Sequence, residues 1–395
     1  MSTHSRLLYL IVGALLASID LAAAQELPPS DLLREIAAKL PHHPKSNGTT
    51  FQPSGTPATD PLCRMQPFTM TLASGSRSSR SLPVLLDRKP ADAKDPVMLL
   101  TVLHRVAVDA DGSPRAYHPE DPRGRGTCRI DQDADGIVHY TGACALDELA
   151  NAEILVFRGA QRLSGDEFAS EWHGFWPLIH DKKLKPFDMK KYVTTAPDGY
   201  YFLYWKDRNL SAFFKSDIIP RANDGYPCLS HDGYFVAATT LKQDNVDPAN
   251  SCAPSRYMDA EKVPFLVLPD DTFGNAHAGD IVVARLEGAP ADRLVYGVVG
   301  DTGPVAQFGE ASIAFNRALL GKSKAVMNEH DADTLDISGK RVSVMVFGGT
   351  KALLNGDYSA GNIKQVGRTL FARWNNDPSS PAGRLDACVR QFDGN

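Results

Sequence analysis

The feature that most constrains the fold is a series of short apolar runs separated by turn residues. The runs are rich in Val, Ile, Leu, Phe and Tyr, and Gly, Pro or Asp residues stand between them, a pattern that is typical of strands. Many short strands with few helices between them favour a closed or nearly closed barrel. The sequence therefore predicts a mainly β fold with additional helices, a β-rich α+β class, built from the runs 97–103, 200–205, 233–240, 263–269, 280–286, 294–299 and 342–347.

The first residues predict a secretory signal over 1–24. Arg6 precedes the apolar run Leu7–Ala17, and Ala22, Ala23 and Ala24 form a small-residue end. Such a segment is too short to span a bilayer and is typical of a cleaved signal peptide. We therefore expect cleavage before Gln25 and a secreted protein, either extracellular or periplasmic.

The rest of the chain divides into three parts by composition. Residues 25–95 form an N-terminal extension and linker, because 41–61 is rich in Pro, Ser, Thr and His and cannot bury a core. The apolar runs make 96–350 the globular domain. Residues 351–395 are expected to be a C-terminal tail that packs on this domain.

The charge balance limits the classes of partner. Asp and Glu total 47 against 42 Lys and Arg, which gives a net charge of -5. This mildly acidic balance argues against a nucleic-acid partner and is compatible with a cationic ligand. Since no later stretch has the length of a membrane span, no membrane partner is expected either.

The cysteines predict disulfides and no metal site. An even number in an exported chain favours pairing, and the expected pairs are Cys128–Cys144, Cys228–Cys252 and Cys63–Cys388, although spacing alone leaves other connectivities open. No CxxC or paired-histidine pattern suggests zinc. The loop Asp131–Gly136 imitates a calcium loop, but Gly142 stands where a bidentate Glu is needed, so a polar hairpin tip is favoured. We expect no cofactor.

Two carboxylates frame a candidate site. Asp301 follows the run 294–299, with Gly300 and Gly303 stopping the strand, and Glu310 stands at the start of a segment with helical spacing that ends at Gly321. A carboxylate pair held in one cleft is what glycoside hydrolysis requires. The alternative is that Asp301 caps a turn and Glu310 complements a helix dipole.

A second acidic stretch follows an alternating strand pattern. Val106 and Val108 show the alternation of a strand, two acidic residues, Asp109 and Asp111, follow, and Asp111 and Gly112 make the turn. Either a solvated hairpin or a ligand site is consistent with this pattern.

Taken together, ordered blocks of the sequence resemble glycoside hydrolase family 75 chitosanases. The resemblance covers about 97–349 and leaves the N-terminal part and the tail outside. The blocks that carry it are Val108–Pro119, Leu146–Ala152, Gly233–Val236 with Thr239–Leu241, Arg256–Ala260, Val263–Pro269, Gly279–Asp280, Tyr296–Pro304 and Gly309–Ile313.

The resemblance implies a fold, a reaction and a catalytic pair. In the family, the catalytic acids are the Asp of the GDTG-like block and the Glu of the GEAS-like block, which are Asp301 and Glu310 here. A double-psi β-barrel-like core is expected by analogy with similar Asp-Thr-Gly turns. The implied enzyme is an endo-chitosanase that hydrolyses β-1,4 bonds between glucosamine units with inversion. The long segment 153–226 departs from the family pattern.

Substrate contacts are expected around the pair. Asp109, Asp111 and Asp280 are candidates to meet the ammonium groups of chitosan or a related amino-sugar polysaccharide. Burial at the end of an apolar strand favours Asp301 as the acid, and a helix start favours Glu310 as the base, but the reverse assignment stays open. Tyr117, His118 and Thr302 complete the substrate-binding candidates.

Two other functions remain as alternatives. One is a cell-wall glycosidase that cleaves peptidoglycan, and the other is a non-catalytic secreted protein that binds polysaccharide. We expect the protein to act as a monomer.

Overall fold

A computed structural model describes most of the region that the sequence predicts to be globular. The predicted signal 1–24, the Cys128–Cys144 pair and most of the segment 153–226 lie outside the described residues. The described residues are 46–54, 60–74, 78–87, 98–119, 131–132, 138–139, 154–158, 161–162, 176–183, 200–204, 219–224, 226–269, 276–303, 308–326, 329–377 and 380–393.

An antiparallel meander precedes the centre of the fold. Its strands are β1 (Ser46–Pro53), β2 (Gln66–Ser74) and β3 (Ser78–Asp87), and β3 pairs with the long strand β4 (Met98–Asp109). Composition predicted a linker over 41–61, whereas β1 occupies part of that range. Backbone pairing with β2 gives this polar stretch its structure, which side-chain composition alone does not reveal.

Six strands form a closed barrel, so the predicted mainly β architecture is confirmed. In spatial order, β4 pairs with β13, then β10, β12, β11 and β14, and β14 returns to pair with β4. Closure leaves no exposed strand edge in the barrel. The five strands added to β4 are β10 (Phe265–Leu268), β11 (Ile281–Leu286), β12 (Val295–Thr302), β13 (Glu310–Ser312) and β14 (Ile337–Phe347).

The pairing directions of the strands show which residues emerge at the same end of the barrel. β11 and β12 form the antiparallel hairpin that the sequence predicts, with Ile281 opposite Val298. β10 runs parallel to β12, and β13 runs parallel to β4. The residues that follow β10 and β12 therefore emerge at the same end of the barrel.

Alternate side chains of the barrel strands enter two apolar clusters. One cluster draws from all six strands, and its members include Leu103, Leu266, Val282, Val299, Ala311 and Val344. The other contains Phe265, Val283, Val298 and Met345 together with residues of the C-terminal helices. The central strands are thus buried on both faces, which explains why they are nearly continuous apolar runs.

Helices follow the strands. α1 (Ile313–Leu320) begins after Ser312, whose side chain accepts a hydrogen bond from the Phe315 amide, and ends at Gly321 in the left-handed conformation. α2 spans Glu329–Asp333, α3 spans Ala360–Asn375 and α4 spans Gly383–Val389. No helix in these described ranges is long and apolar enough to cross a membrane.

Short sheets lie outside the barrel. β5 (Asp131–Gln132) and β6 (Val138–His139) form a small hairpin, and β7 (Ile154–Arg158) pairs with both β8 (Gln161–Arg162) and β9 (Tyr200–Tyr204). The predicted hairpin near Asp131 and the predicted strand near Tyr200 are confirmed.

The strand predicted over 233–240 is wrong. This stretch is irregular, with isolated bridges that link Phe235 to Tyr117 and Leu229. Its apolar side chains are nevertheless buried, since Phe235 is fully inaccessible and packs against the Trp176 ring at 5.2 Å between centroids. Burial explains the apolar composition here, and it does not require a strand.

Two of the expected disulfides are present. Cys63 pairs with Cys388, and Cys228 pairs with Cys252. The first joins the segment before β2 to α4, and the second closes an irregular loop beside the barrel.

Candidate functional site

Asp301 is the penultimate residue of β12 and lies next to a strand irregularity. Val299 is opposite Leu266 on β10, but Asp301 is opposite Val267, so Gly300 is an extra residue in β12. A Cβ atom on Gly300 would lie 2.4 Å from Cγ of Phe265. Glycine is therefore needed here, and the bulge sets the direction of the following carboxylate. The Asp301 side chain is buried, with 8% relative exposure.

Glu310 lies on the other side of β10 at the same level. Leu266 is opposite Ala311 in the antiparallel β10–β13 pair, so one step along this register brings Val267 level with Glu310. Two strand spacings put the Cα atoms of Asp301 and Glu310 roughly 10 Å apart. The Glu310 carboxylate lies near the chain that follows Asp301, because a Cβ on Gly303 would be 3.8 Å from its Oε2 atom.

The local structure at Glu310 differs from the sequence prediction. Glu310 is the first residue of the three-residue strand β13, and the helix begins only after Ser312. The reason is tertiary, since β13 is inserted between β4 and β10, with Glu310 opposite Ala107. Glu310 therefore lies two residues before the N-cap of α1 and not in its first turn.

Three donors hold one oxygen of Asp301. Oδ1 accepts hydrogen bonds from the Thr240 amide at 3.0 Å, the Thr240 hydroxyl at 2.7 Å and the Thr302 amide at 2.7 Å. The hydroxyls of Thr240 and Thr302 are also 2.8 Å apart. Donors of this kind stabilise a charged carboxylate and fix its orientation.

Two further carboxylates meet Asp301. Oxygen atoms of Asp109, Asp111 and Asp301 lie within 4.8 Å of one another. The Asp111 amide donates to Oδ1 of Asp109 at 2.8 Å, and the Tyr117 hydroxyl donates to Oδ1 of Asp111. Of the predicted substrate-binding residues, Asp109, Asp111, Tyr117 and Thr302 are thus brought together around Asp301.

The turn that carries Asp111 is tightly fixed. Gly112 has φ +82, and a Cβ there would lie 1.9 Å from the carbonyl oxygen of Met258. The next residue, Ser113, donates its hydroxyl hydrogen bond to Glu261 at 2.9 Å. Only glycine can adopt this conformation at this distance, so the acidic turn is a rigid element of the site.

His118 and Asp280 have different environments from the residues above. His118 is buried, contacts the Tyr234 ring edge-on at 4.7 Å, and burial lowers its pKa to about 4. Asp280 accepts hydrogen bonds from four backbone amides, those of His277, Gly349, Thr350 and Lys351, at 2.7–3.0 Å. These four hydrogen bonds use the Asp280 carboxylate to fix a loop. Its geometry therefore does not favour the predicted contact with substrate.

Thr240 is the site residue that sequence reasoning missed. It lies in an irregular stretch where Leu241 donates its amide hydrogen to the Gly300 carbonyl at 2.9 Å. The Thr239–Thr240 pair at the end of an apolar run was a visible signal. Its partner Asp301 is distant in sequence, so only the folded chain reveals the contact.

Part of the chain matches a known protein family. A family model described as fungal chitosanase of glycosyl hydrolase group 75 matches residues 222–373, which include Thr240, Asp301 and Glu310. No curated protein matches the chain. The matched part spans β10 to β14 and most of α3. Residues 222–373 are therefore similar to a group 75 chitosanase, and this match supports a glycosidase.

Proposed function

We propose that the protein is a secreted endo-chitosanase that hydrolyses β-1,4 bonds between glucosamine units with inversion, using Asp301 and Glu310 as its acid–base pair. The family match supports the substrate class. The observation that carries the mechanism is the level position of Asp301 and Glu310 on either side of β10.

The family resemblance implies inversion, and the spacing of the pair is compatible with it. Inverting glycosidases hold their two carboxyl groups about 6.5–9.5 Å apart so that a water molecule fits beside the sugar, whereas retaining enzymes hold them about 5–5.5 Å apart. Cα atoms two strand spacings apart, roughly 10 Å, are compatible with the longer separation.

The hydrogen bonds support Asp301 as the base and Glu310 as the acid, the reverse of the assignment that strand burial favours. Three donors to one oxygen stabilise the ionised form of Asp301. The neighbouring negative charges of Asp109 and Asp111 disfavour the ionised form of Asp301. In the complex, the ammonium group of a bound glucosamine offsets the charges of Asp109 and Asp111, so the donors to Asp301 favour its ionised form.

The carboxylate cluster also supports selection of an amino sugar. In the proposed complex, Asp109 and Asp111 pair with an ammonium group, and the Tyr117 hydroxyl keeps Asp111 in position. The Thr302 hydroxyl contacts a sugar hydroxyl. An acetylated unit carries no charge, so the cluster favours deacetylated units.

The proposal also covers the barrel topology, export, the domain limits and the oligomeric state. The two parallel pairs, β4 with β13 and β10 with β12, support a double-psi arrangement of the barrel. The disulfides support export, with the signal at 1–24. We assign the catalytic domain to 96–350, with 25–95 as an extension and 351–395 packed on the domain, and the acting form is a monomer.

The first test replaces each carboxylate of the pair. Asp301→Asn and Glu310→Gln should each lower the release of reducing ends from chitosan by about a hundredfold or more, the usual contribution of acid–base groups. Asp247→Asn is the matched control, because it removes an exposed charge whose oxygen only accepts the Ala249 amide. Full activity of either site variant, with the fold confirmed by circular dichroism, would disprove the assignment.

A second set of measurements separates the roles. Glu310→Gln should keep most of its activity on a nitrophenyl glycoside of a glucosamine oligomer, since a good leaving group needs little protonation. Asp301→Asn should instead be rescued by azide, which replaces the activated water. The anomer of the first product, read by NMR, should be inverted. Faster cleavage of peptidoglycan than of chitosan would contradict the proposed substrate.

A further inference from the structure

A cleft lies where β11 begins and β14 ends, next to Asp280 and Gly349. It has a volume of about 420 Å³, within the range of small-molecule sites. Its lining includes Asp244, His277, Asp280, Lys351, Gly356 and Tyr358.

Two backbone hydrogen bonds connect segments near the cleft to the end of β12 that carries Asp301. The Leu241 amide donates to the Gly300 carbonyl at 2.9 Å, and the Gly279 amide donates to the Val299 carbonyl at 2.8 Å. Asp244 is three residues beyond the first donor, and His277 is two residues before the second. These segments lie on the β11 side of β12, whereas Glu310 lies on the β10 side. The cleft therefore lies on the side of β12 that is opposite Glu310.

The charges of the cleft favour a cation. Asp244 and Asp280 contribute two carboxylates, against one ammonium group from Lys351. The stem of Lys351 lies over Gly279, with its Cγ 2.6 Å from where a Cβ would be. The four amide donors to Asp280 stabilise its charge without neutralising it. These three groups together carry one net negative charge.

Asp244 is positioned to bind this cation. Its Oδ2 accepts a hydrogen bond from the Tyr358 hydroxyl at 3.2 Å, which orients an otherwise exposed carboxylate. Burial, aided by the charge of Asp244, raises the pKa of Tyr358 to about 12, so this hydroxyl remains a donor. Gly356 has φ +75, and a Cβ there would lie 3.3 Å from Oδ2. The glycine leaves space beside the carboxylate.

We propose that this cleft is a binding subsite for a glucosamine unit of the polysaccharide, with Asp244 pairing with the ammonium group and Lys351 donating to a hydroxyl. The inference rests on the proposed function, because it takes the sugar chain to extend from the catalytic pair across β12. It adds a charge-selective contact on the side of Asp301 opposite Glu310.

Binding can be measured without turnover in the Glu310→Gln background. Calorimetry at mildly acid pH, where the amines of the ligand are protonated, compares a glucosamine hexamer with an N-acetylglucosamine hexamer. Asp244→Asn should weaken binding of the glucosamine hexamer about fivefold, as expected for one partly exposed ion pair, and should leave the acetylated hexamer unchanged. Asp247→Asn, which removes the same charge on the same segment, should change neither.

Kinetics of the single variant Asp244→Asn provide a second readout. The kcat/KM for the glucosamine hexamer should fall by the same factor, while that for a glucosamine dimer, too short to reach past Asp301 into the cleft, should be unchanged. Unchanged hexamer affinity, or equal losses for both hexamers, would overturn the subsite and leave the catalytic assignment intact. Full activity of Glu310→Gln would instead defeat the catalytic assignment.

Discussion

At the residue scale, the site depends on the polar contacts that hold its carboxylates in place. Asp301 is oriented by Thr240, and Asp111 is oriented by Tyr117. A buried carboxylate with fixed donors keeps one orientation, and catalysis requires such preorganisation. The acidic residues are visible in the sequence, but the groups that hold them become apparent only after folding.

Thr240→Val should lower kcat on chitosan about tenfold, because the charged carboxylate of Asp301 loses one donor. The amide of residue 240 remains, so KM should change little. Steady-state kinetics measure both parameters.

Two controls identify the hydroxyl as the cause. Thr240→Ser keeps the donor and should restore most of the activity. Thr302→Val removes only the hydroxyl that contacts Thr240 and should have a smaller effect. Unchanged kcat in Thr240→Val would show that the hydroxyl does not contribute to catalysis.

At the element scale, strands were predictable where both faces are buried. The runs at 263–269, 280–286, 294–299 and 342–347 became strands because apolar side chains enter a cluster on each side of the sheet. The run at 233–240 is equally apolar and equally buried, yet it is irregular. Apolar composition reports burial, whereas strand formation also needs a partner with open backbone groups.

Gly300→Ala tests the bulge in β12. The new methyl group would overlap Phe265, so we expect a loss of about 2 kcal/mol in the free energy of unfolding. Activity should fall as well, because the adjacent Asp301 must move. Gly361→Ala in α3 is the control, since a Cβ there meets nothing within 4 Å. Urea denaturation and the chitosan assay measure the two effects, and wild-type values for Gly300→Ala would contradict the role of the bulge.

At the scale of the whole molecule, a disulfide and a helix connect the C-terminal part of the chain to the rest of the fold. The Cys63–Cys388 bond spans 325 residues and joins the segment before β2 to α4. α3 packs on β12, where a Cβ on Gly367 would lie 2.8 Å from the Tyr296 ring. The tail therefore supports the outer face of the strand that carries Asp301.

Replacing both Cys63 and Cys388 by Ala should lower the free energy of unfolding by about 3–5 kcal/mol, since a long covalent loop restricts the unfolded chain. At temperatures below the melting transition, kcat should be unchanged, because none of the proposed catalytic contacts involves these residues. Calorimetric melting and activity at low temperature test both statements. A large loss of kcat in a folded variant would show that the disulfide shapes the site.

The sequence by itself determined the mainly β class, the positions of most barrel strands and the identity of the acidic residues. These properties follow from local periodicity, from residue chemistry and from motif resemblance. Tertiary structure decided that Glu310 begins a strand, that Asp280 holds a loop, and that Thr240 and Asp111 meet Asp301. The physical reason is that strand pairing and hydrogen bonding join segments distant in the chain, and no local pattern encodes which segments meet.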